Sequence, residues 1–129
     1  MKHYNVNNEQ TKVFDKYGAF FAFSDGQFEE RKKEGVKYTH AGAGLITPVG
    51  TAQKVFDDLE AINNNKVKWE LDNNTVKDIV FDSFANYECQ ITMDPADAIE
   101  ALEPYGLDKK EIMSYWSEYF QMCIDNDYF

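Results

Sequence analysis

Carboxylates dominate the reactive side chains of this chain, and their spacing narrows what they can do. Asp94, Asp97, Glu100 and Glu103 follow one another at intervals of three residues, a rise of about 4.5 Å on a helix. Ile99 and Leu102, with Ala98 beside them, must face a core, which leaves the acids on or near the exposed side. Asp78, Asp82 and Asp108 come from the adjacent helical segments. Duplex DNA carries one charge per ~1.7 Å of axis counting both strands, or ~3.4 Å along one. A row of carboxylates on that scale can occupy a groove that normally holds phosphates. The chemistry expected is therefore electrostatic recognition of a cationic surface. Asp78, Asp82, Asp94, Asp97, Glu100, Glu103 and Asp108 would supply the charge, and exposed aromatics such as Tyr105 and Tyr128 would serve as anchors.

The distribution of charge carries this reading further than its total of −10. Residues 1–77 hold 11 acids and 11 Lys/Arg and are neutral, whereas residues 78–129 hold 12 acids against Lys109 and Lys110 alone. Acidic helices keep proteins soluble and favour Asp and Glu near their N-termini. Solubility does not, however, require one half of the chain to be neutral. Such a surface repels nucleic acid and membranes and attracts cationic proteins.

Catalytic constellations are poorly supported. His40 lies on a Gly-rich strand, His3 near the N-terminus, and neither stands at a spacing that pairs it with Cys89 or Cys123 as nucleophile and base. His40 with Glu88, Asp94 or Asp97 is the one conceivable metal set, yet the chain has no HxxxH, CxxC or DxDxDG pattern. Ala41-Gly42-Ala43-Gly44 lacks the Lys-Ser/Thr of a P-loop and a third glycine at dinucleotide spacing, so close backbone packing explains it better. Arg31-Lys32-Lys33 is flanked by Glu29, Glu30 and Glu34 and reads as a solvated helix face. No cofactor, metal or catalytic residue is expected, and a small metal-dependent hydrolase using His40 ranks last.

The elements that must position these residues read as one domain over residues 1–129, mainly helical α+β, with about five helices packed around a two- to three-stranded sheet. Asn7–Tyr17 predicts a helix closed by Gly18, with a hairpin through Asp15–Gly18 as the competing reading. Ala19–Phe23 predicts a short buried strand. Ser24 and Gln27 then stand at capping-box spacing, with the Gln27 side chain reaching back to Ser24. Gly35 is placed to close the helix that follows, and Val36–Thr47 reads as extended, Gly42 and Gly44 leaving room for another backbone or a partner. Thr47-Pro48 predicts the next helix start, with Ala52, Val55, Phe56, Leu59 and Ile62 at helical spacing and Asn63-Asn64-Asn65 as its end. Residues 66–72 fit strand or helix. Thr75 opens a further helix, Glu88–Thr92 reads as extended, Asp94-Pro95 starts a helix that Pro104 ends, and Asp108 with Glu111 caps the last one. There Ile112, Tyr115, Trp116, Tyr119, Phe120 and Cys123 form a wide aromatic stripe. Self-association through that stripe, a structural or assembly role, is the alternative to a partner-binding surface.

No apolar run approaches the ~20 residues of a membrane span, and MKHYNVNNEQ lacks the apolar core of a secretory signal. Two distant cysteines without metal-ligand spacing read as reduced thiols of a cytoplasmic protein.

The run GAFFAFSDGQFEERKKEGVKY…GAGLITP, then DDLEAIN, FANYECQIT and ALEPYG, resembles an uncharacterised family of small proteins associated with bacteriophages and bacterial mobile elements. The likeness covers most of the chain from about Phe14. It implies a setting and no residue roles: small phage-type accessory proteins often counter host nucleases, and acidic anti-CRISPR and anti-restriction proteins do so by imitating DNA. The expectation is a non-enzymatic inhibitor in the host cytoplasm that blocks a basic host protein, a nuclease or other nucleic-acid-binding protein.

Overall fold

In the computed structural model, which describes residues 1–129, the Asn5 side chain opens helix α1 (Val6–Tyr17) by accepting the Asn8 N–H, and Gly18, left-handed at φ 68°, closes it. The fold is mainly helical α+β, with five helices of seven residues or more and a three-stranded antiparallel sheet. The chain gathers into two compact units, Asn5–Lys66 and Met1–Tyr4 with Val67–Phe129.

The unit Asn5–Lys66 contains the whole sheet, in the order β1 (Phe20–Phe21), β3 (Leu45–Pro48), β2 (Tyr38–Gly42). The apolar run at Ala19–Phe23 narrows to a two-residue strand. Ser24 caps α2 (Asp25–Arg31) by accepting the Gln27 N–H at 3.2 Å, as the capping box predicts. The Gln27 side chain reaches past Ser24, however, and accepts from the Phe23 N–H at 2.8 Å. Gly35 does not close this helix. Lys32 does, its N–H donating to the Phe28 carbonyl, and Gly35 turns the loop beyond at φ 79°.

The stretch expected to be one extended piece, Val36–Thr47, is a hairpin. Gly42, Ala43 and Gly44 take φ 100°, 50° and 82° and reverse the chain, with a bulge where the register shifts between His40 and Gly42. β3, flanked on both sides, has Leu45, Ile46 and Thr47 buried. Pro48 ends this strand instead of starting a helix, as suits a residue without an N–H.

Helix α3 (Ala52–Asn73) runs straight through Asn63-Asn64-Asn65, so residues 66–72 are helical. Each asparagine lowers helix propensity by only a few tenths of a kcal/mol. Burial of Val55 and Ile62 before them, with the contacts of Trp69 to Tyr4 and of Glu70 to Tyr105 after them, outweighs that.

The second unit is helical. Thr75 caps α4 (Val76–Asn86) by accepting the Asp78 N–H at 3.1 Å. Glu88–Thr92, expected to be extended, instead contains the one-turn helix α5 (Cys89–Thr92), bracketed by left-handed Glu88 and Met93 at φ 50° and 58°. Next come α6 (Ala96–Ala101), a 3-10 turn (Glu103–Tyr105) and α7 (Lys109–Met113), the last capped by Asp108, which accepts the Glu111 N–H at 2.8 Å. The final aromatic helix is not continuous: α8 (Trp116–Asn126) starts after a break at Ser114–Tyr115. The Ser114 hydroxyl bonds back to the Glu111 carbonyl there, a competitor to helix continuation.

Phe84, Tyr119, Ile79, Val80, Ile112 and Leu102 are buried together, with Phe84 edge-on to Trp116 at 5.2 Å. The buried Ser83 hydroxyl donates to the Ala98 carbonyl at 3.0 Å and ties α4 to α6. The tail is docked, with the Tyr128 N–H bonded to the Cys123 carbonyl and the Tyr128 carbonyl accepting from Gln90.

The hairpin yields a test. A Cβ on Gly44 would overlap the Phe23 ring, and the backbone there has φ 82°. Gly44→Ala is expected to lower the urea unfolding free energy by about 1–2 kcal/mol, mostly from the backbone because the exposed Phe23 ring can swing aside. Adding Phe23→Ala should recover only the overlap part. An unchanged midpoint in Gly44→Ala would overturn this account.

Candidate binding face

Helix α6 arises because Ala98 and Leu102 seek the core while Asp94 supplies a starting cap, its Oδ1 accepting the Ala96 N–H at 3.0 Å. That orientation exposes Asp97, Glu100 and, in the turn beyond, Glu103. Ala96, Ile99 and Leu107 floor an open groove of ≈ 410 Å³, with Glu100, Glu103 and Lys109 along it. The face is thus an apolar strip with carboxylates at its edge.

The other predicted acids fall nearby in the same unit. Asp78 and Asp82 stand one turn apart on α4, and both line a second groove. Asp94 and Asp97 lie close enough to Cys89 that, after burial, their charges are what push its thiol upward. That shift disfavours the thiolate, the opposite of what a nucleophile needs. Asp108 is exposed and spends one oxygen on the α7 cap. The seven carboxylates therefore occur as small groups around α4, α6 and the start of α7.

None of the seven stands within ion-pair distance of a lysine or arginine. Asp82 alone has a partner, the His3 ring, with Nε2 3.2 Å from Oδ1. The neighbouring Lys77 is paired with Glu118. The charge divides as the units do: Met1–Tyr4 with Val67–Phe129 holds fourteen carboxylates against five Lys/Arg, a net −9. Asn5–Lys66 holds nine against eight, a net −1.

Tyr105 does not fill the role expected of it. It is half-buried, and its hydroxyl donates to Glu70 Oε2 at 2.6 Å. Glu70, only 1% exposed, also has His3 Nδ1 3.8 Å from Oε1. Tyr105 is thus a structural contact of a buried carboxylate and not a free anchor. Burial, then the bond to Glu70, pushes its phenol far above the ordinary tyrosine value. Tyr128, by contrast, is 53% exposed.

Glu70 and His3 were not singled out by sequence reasoning. The signal for Glu70 was present, because the stripe Val55, Leu59, Ile62, Lys66 continues at helical spacing to Trp69 and Glu70. It was lost by ending the helix at the three asparagines. Nothing local marks His3.

The aromatic stripe of the last helix packs within its own unit. Tyr119 is buried, Trp116 half-buried against Phe84, and Phe120 half-buried with Phe129 5.8 Å away. His40 is exposed on β2 beside a groove lined by Ser24, Asp25, Phe28 and Glu29. Glu88, Asp94 and Asp97, its conceivable metal partners, belong to the other unit. No three His, Cys, Asp or Glu side chains gather closely enough to hold a metal ion. No helix is long and apolar enough to cross a membrane.

Residues 2–122 match a family of unknown function, DUF7659, and the chain belongs to that family. No curated protein and no solved structure matches it.

Two consequences of the Tyr105–Glu70 bond can be measured. Tyr105→Phe strands a buried carboxylate and should lower the unfolding free energy by about 1.5–3 kcal/mol. Tyr105 and Tyr119 both have phenol values raised in the folded state, each by burial first. Their contribution to stability is complete below about pH 10, the unfolded value, and is lost as pH rises beyond it. In an alkaline absorbance titration, two of the eight tyrosines should ionise late, and Tyr105→Phe should remove one of them. Simultaneous ionisation of all eight would overturn the assignment.

Proposed function

We propose that this member of a family without an assigned activity is a non-enzymatic acidic binding protein. Its helical unit docks onto the basic nucleic-acid groove of a bacterial host protein, a nuclease or other nucleic-acid-binding protein, and blocks it. The setting we attach to this activity is a phage or mobile element acting in the host cytoplasm. There a protein that occupies the place of DNA neutralises a defence enzyme without chemistry of its own.

The observation that carries the reading is the set of seven carboxylates, none paired with Lys or Arg, on a unit whose net charge is −9. Carboxylates paired locally have little attraction left for a partner, whereas unpaired ones act together as a field that steers a cationic surface into contact. The apolar floor of the α6 groove adds area that loses water on docking, which charge alone does not provide.

The test compares two acidic pairs in capture of basic proteins from bacterial lysate at low salt, with duplex DNA as competitor. Reversal of Asp97 and Glu100 to lysine should weaken capture about ten-fold or more, with a steep salt dependence. Reversal of Glu29 and Glu30, on the unit of net charge −1 where Glu29 is already paired with Lys32, should change it by about two-fold or less. DNA should displace the captured protein. Equal effects at the two pairs, or capture that DNA leaves untouched, would overturn the proposal.

A further inference from the structure

The second groove of the helical unit has a different construction from the acidic edge of α6. Asp78, Phe81, Asp82 and Ala85 stand at i, i+3, i+4 and i+7 on α4 and form one wall, about 10 Å long. Met122 of α8 and Tyr128 of the tail stand opposite, enclosing ≈ 410 Å³. The floor is buried Tyr119, and Met1 lies at one end. Besides the Tyr128 N–H bond to Cys123, a side chain ties the tail to the groove. Gln90 accepts from the Tyr119 hydroxyl at 2.7 Å and donates to the Tyr128 carbonyl at 3.0 Å, so the tail is fixed to the floor it flanks.

We infer that this groove takes a cationic amphipathic segment of the partner protein. An apolar side chain of the segment enters between Phe81, Met122 and Tyr128, and a Lys or Arg one helical turn away pairs with Asp78. The polarity follows from charge complementarity. Asp78 stands in no ion pair, Lys77 beside it is paired with Glu118 and lies over the Phe81 ring, Asp82 is met by His3, and the unit as a whole carries −9. A second copy of the chain, itself at −10, is repelled from this groove, as are nucleic acid and anionic lipid. The occupant's apolar face follows from the lining. Two aromatic rings and a pliable methionine fit an inserted side chain better than a phosphate-binding loop or a bare cation. The inference rests on the proposed function and deepens it: the partner is read by an inserted side chain as well as by charge.

The probes are a synthetic amphipathic Leu/Lys helix and an oligo-lysine of equal charge, each titrated calorimetrically into the intact protein at low salt. The Leu/Lys helix should bind about ten-fold tighter or more, the scale set by burying one leucine-sized side chain. Ala85→Gln fills the groove from an exposed position without changing charge, and Tyr128→Ser removes one wall. Each should reduce the Leu/Lys helix to the affinity of oligo-lysine while leaving oligo-lysine binding and the melting temperature unchanged. Asp78→Asn should weaken both probes. If oligo-lysine binds as tightly as the Leu/Lys helix, or if the preference survives Ala85→Gln and Tyr128→Ser, the groove inference is overturned while the acidic-face reading stands. If neither probe binds, both fall.

Discussion

A buried carboxylate governs how the helical unit is assembled. Glu70 lies near the end of α3 with 1% of its surface exposed. A charge or polar acid in that position costs several kcal/mol unless partners reach it. Tyr105 meets that demand from the 3-10 turn with a hydrogen bond, and His3 of the N-terminal segment stands 3.8 Å from the other oxygen. The same end of α3 holds the segment twice more. Asn74 exchanges hydrogen bonds with the Lys2 backbone at 2.7 and 2.8 Å, and Trp69 packs on Tyr4. The turn so fixed carries Glu103 outward beside Glu100. The placement of Glu103 is thus set from below by an acid that solvent barely reaches.

Much of the local architecture was legible because it depends on short-range chemistry. The caps at Ser24, Thr75 and Asp108 each bond the backbone N–H three residues on, as their spacing predicts. What escaped depends on contacts distant in sequence. The three asparagines of α3 are weak helix formers carried through by apolar burial before them and by the contacts of Trp69 and Glu70 after them. The hairpin at Gly42–Gly44 hides in a stretch whose composition suits one strand, and the ring that occupies the Gly44 space comes from Phe23. At the α7–α8 break the backbone tightens to three-residue hydrogen bonds, and the Ser114 hydroxyl joins them on the Glu111 carbonyl. At the candidate face the carboxylates of α6 were legible from periodicity, because Ala98 and Leu102 had to turn inward. Tyr105 was misread because its partner, Glu70, lies 35 residues away.

The acidic unit also shows how a chain accommodates so much like charge. Asp78, Asp97 and Glu111 occupy first turns of α4, α6 and α7, and Asp108 is a cap. There the unpaired N–H groups of the helix favour negative charge by some tenths of a kcal/mol each. A succession of short helices multiplies such positions within a small surface. For these four acids local stabilisation and a collective outward field are therefore compatible, while Asp82 and Glu100 lie outside the first turns and Glu118 is paired with Lys77. The nearly balanced unit Asn5–Lys66 follows the other strategy, with Lys12 paired to Glu9, Lys16 to Asp58 and Lys32 to Glu29.

Helix α5 is four residues long and has a non-glycine residue in left-handed conformation at each end. Each of these conformations costs about 1 kcal/mol, and melting the single turn releases both. The turn also carries Gln90, whose bonds to Tyr119 and Tyr128 would be lost with it, so those bonds and the burial of Cys89 hold the strained corners in place. Cys89 occupies the first position of that turn, whereas Cys123 sits within the much longer α8. Both thiols are fully buried, and the labelling rate of Cys89 against that of Cys123 measures how firmly these contacts hold a single strained turn.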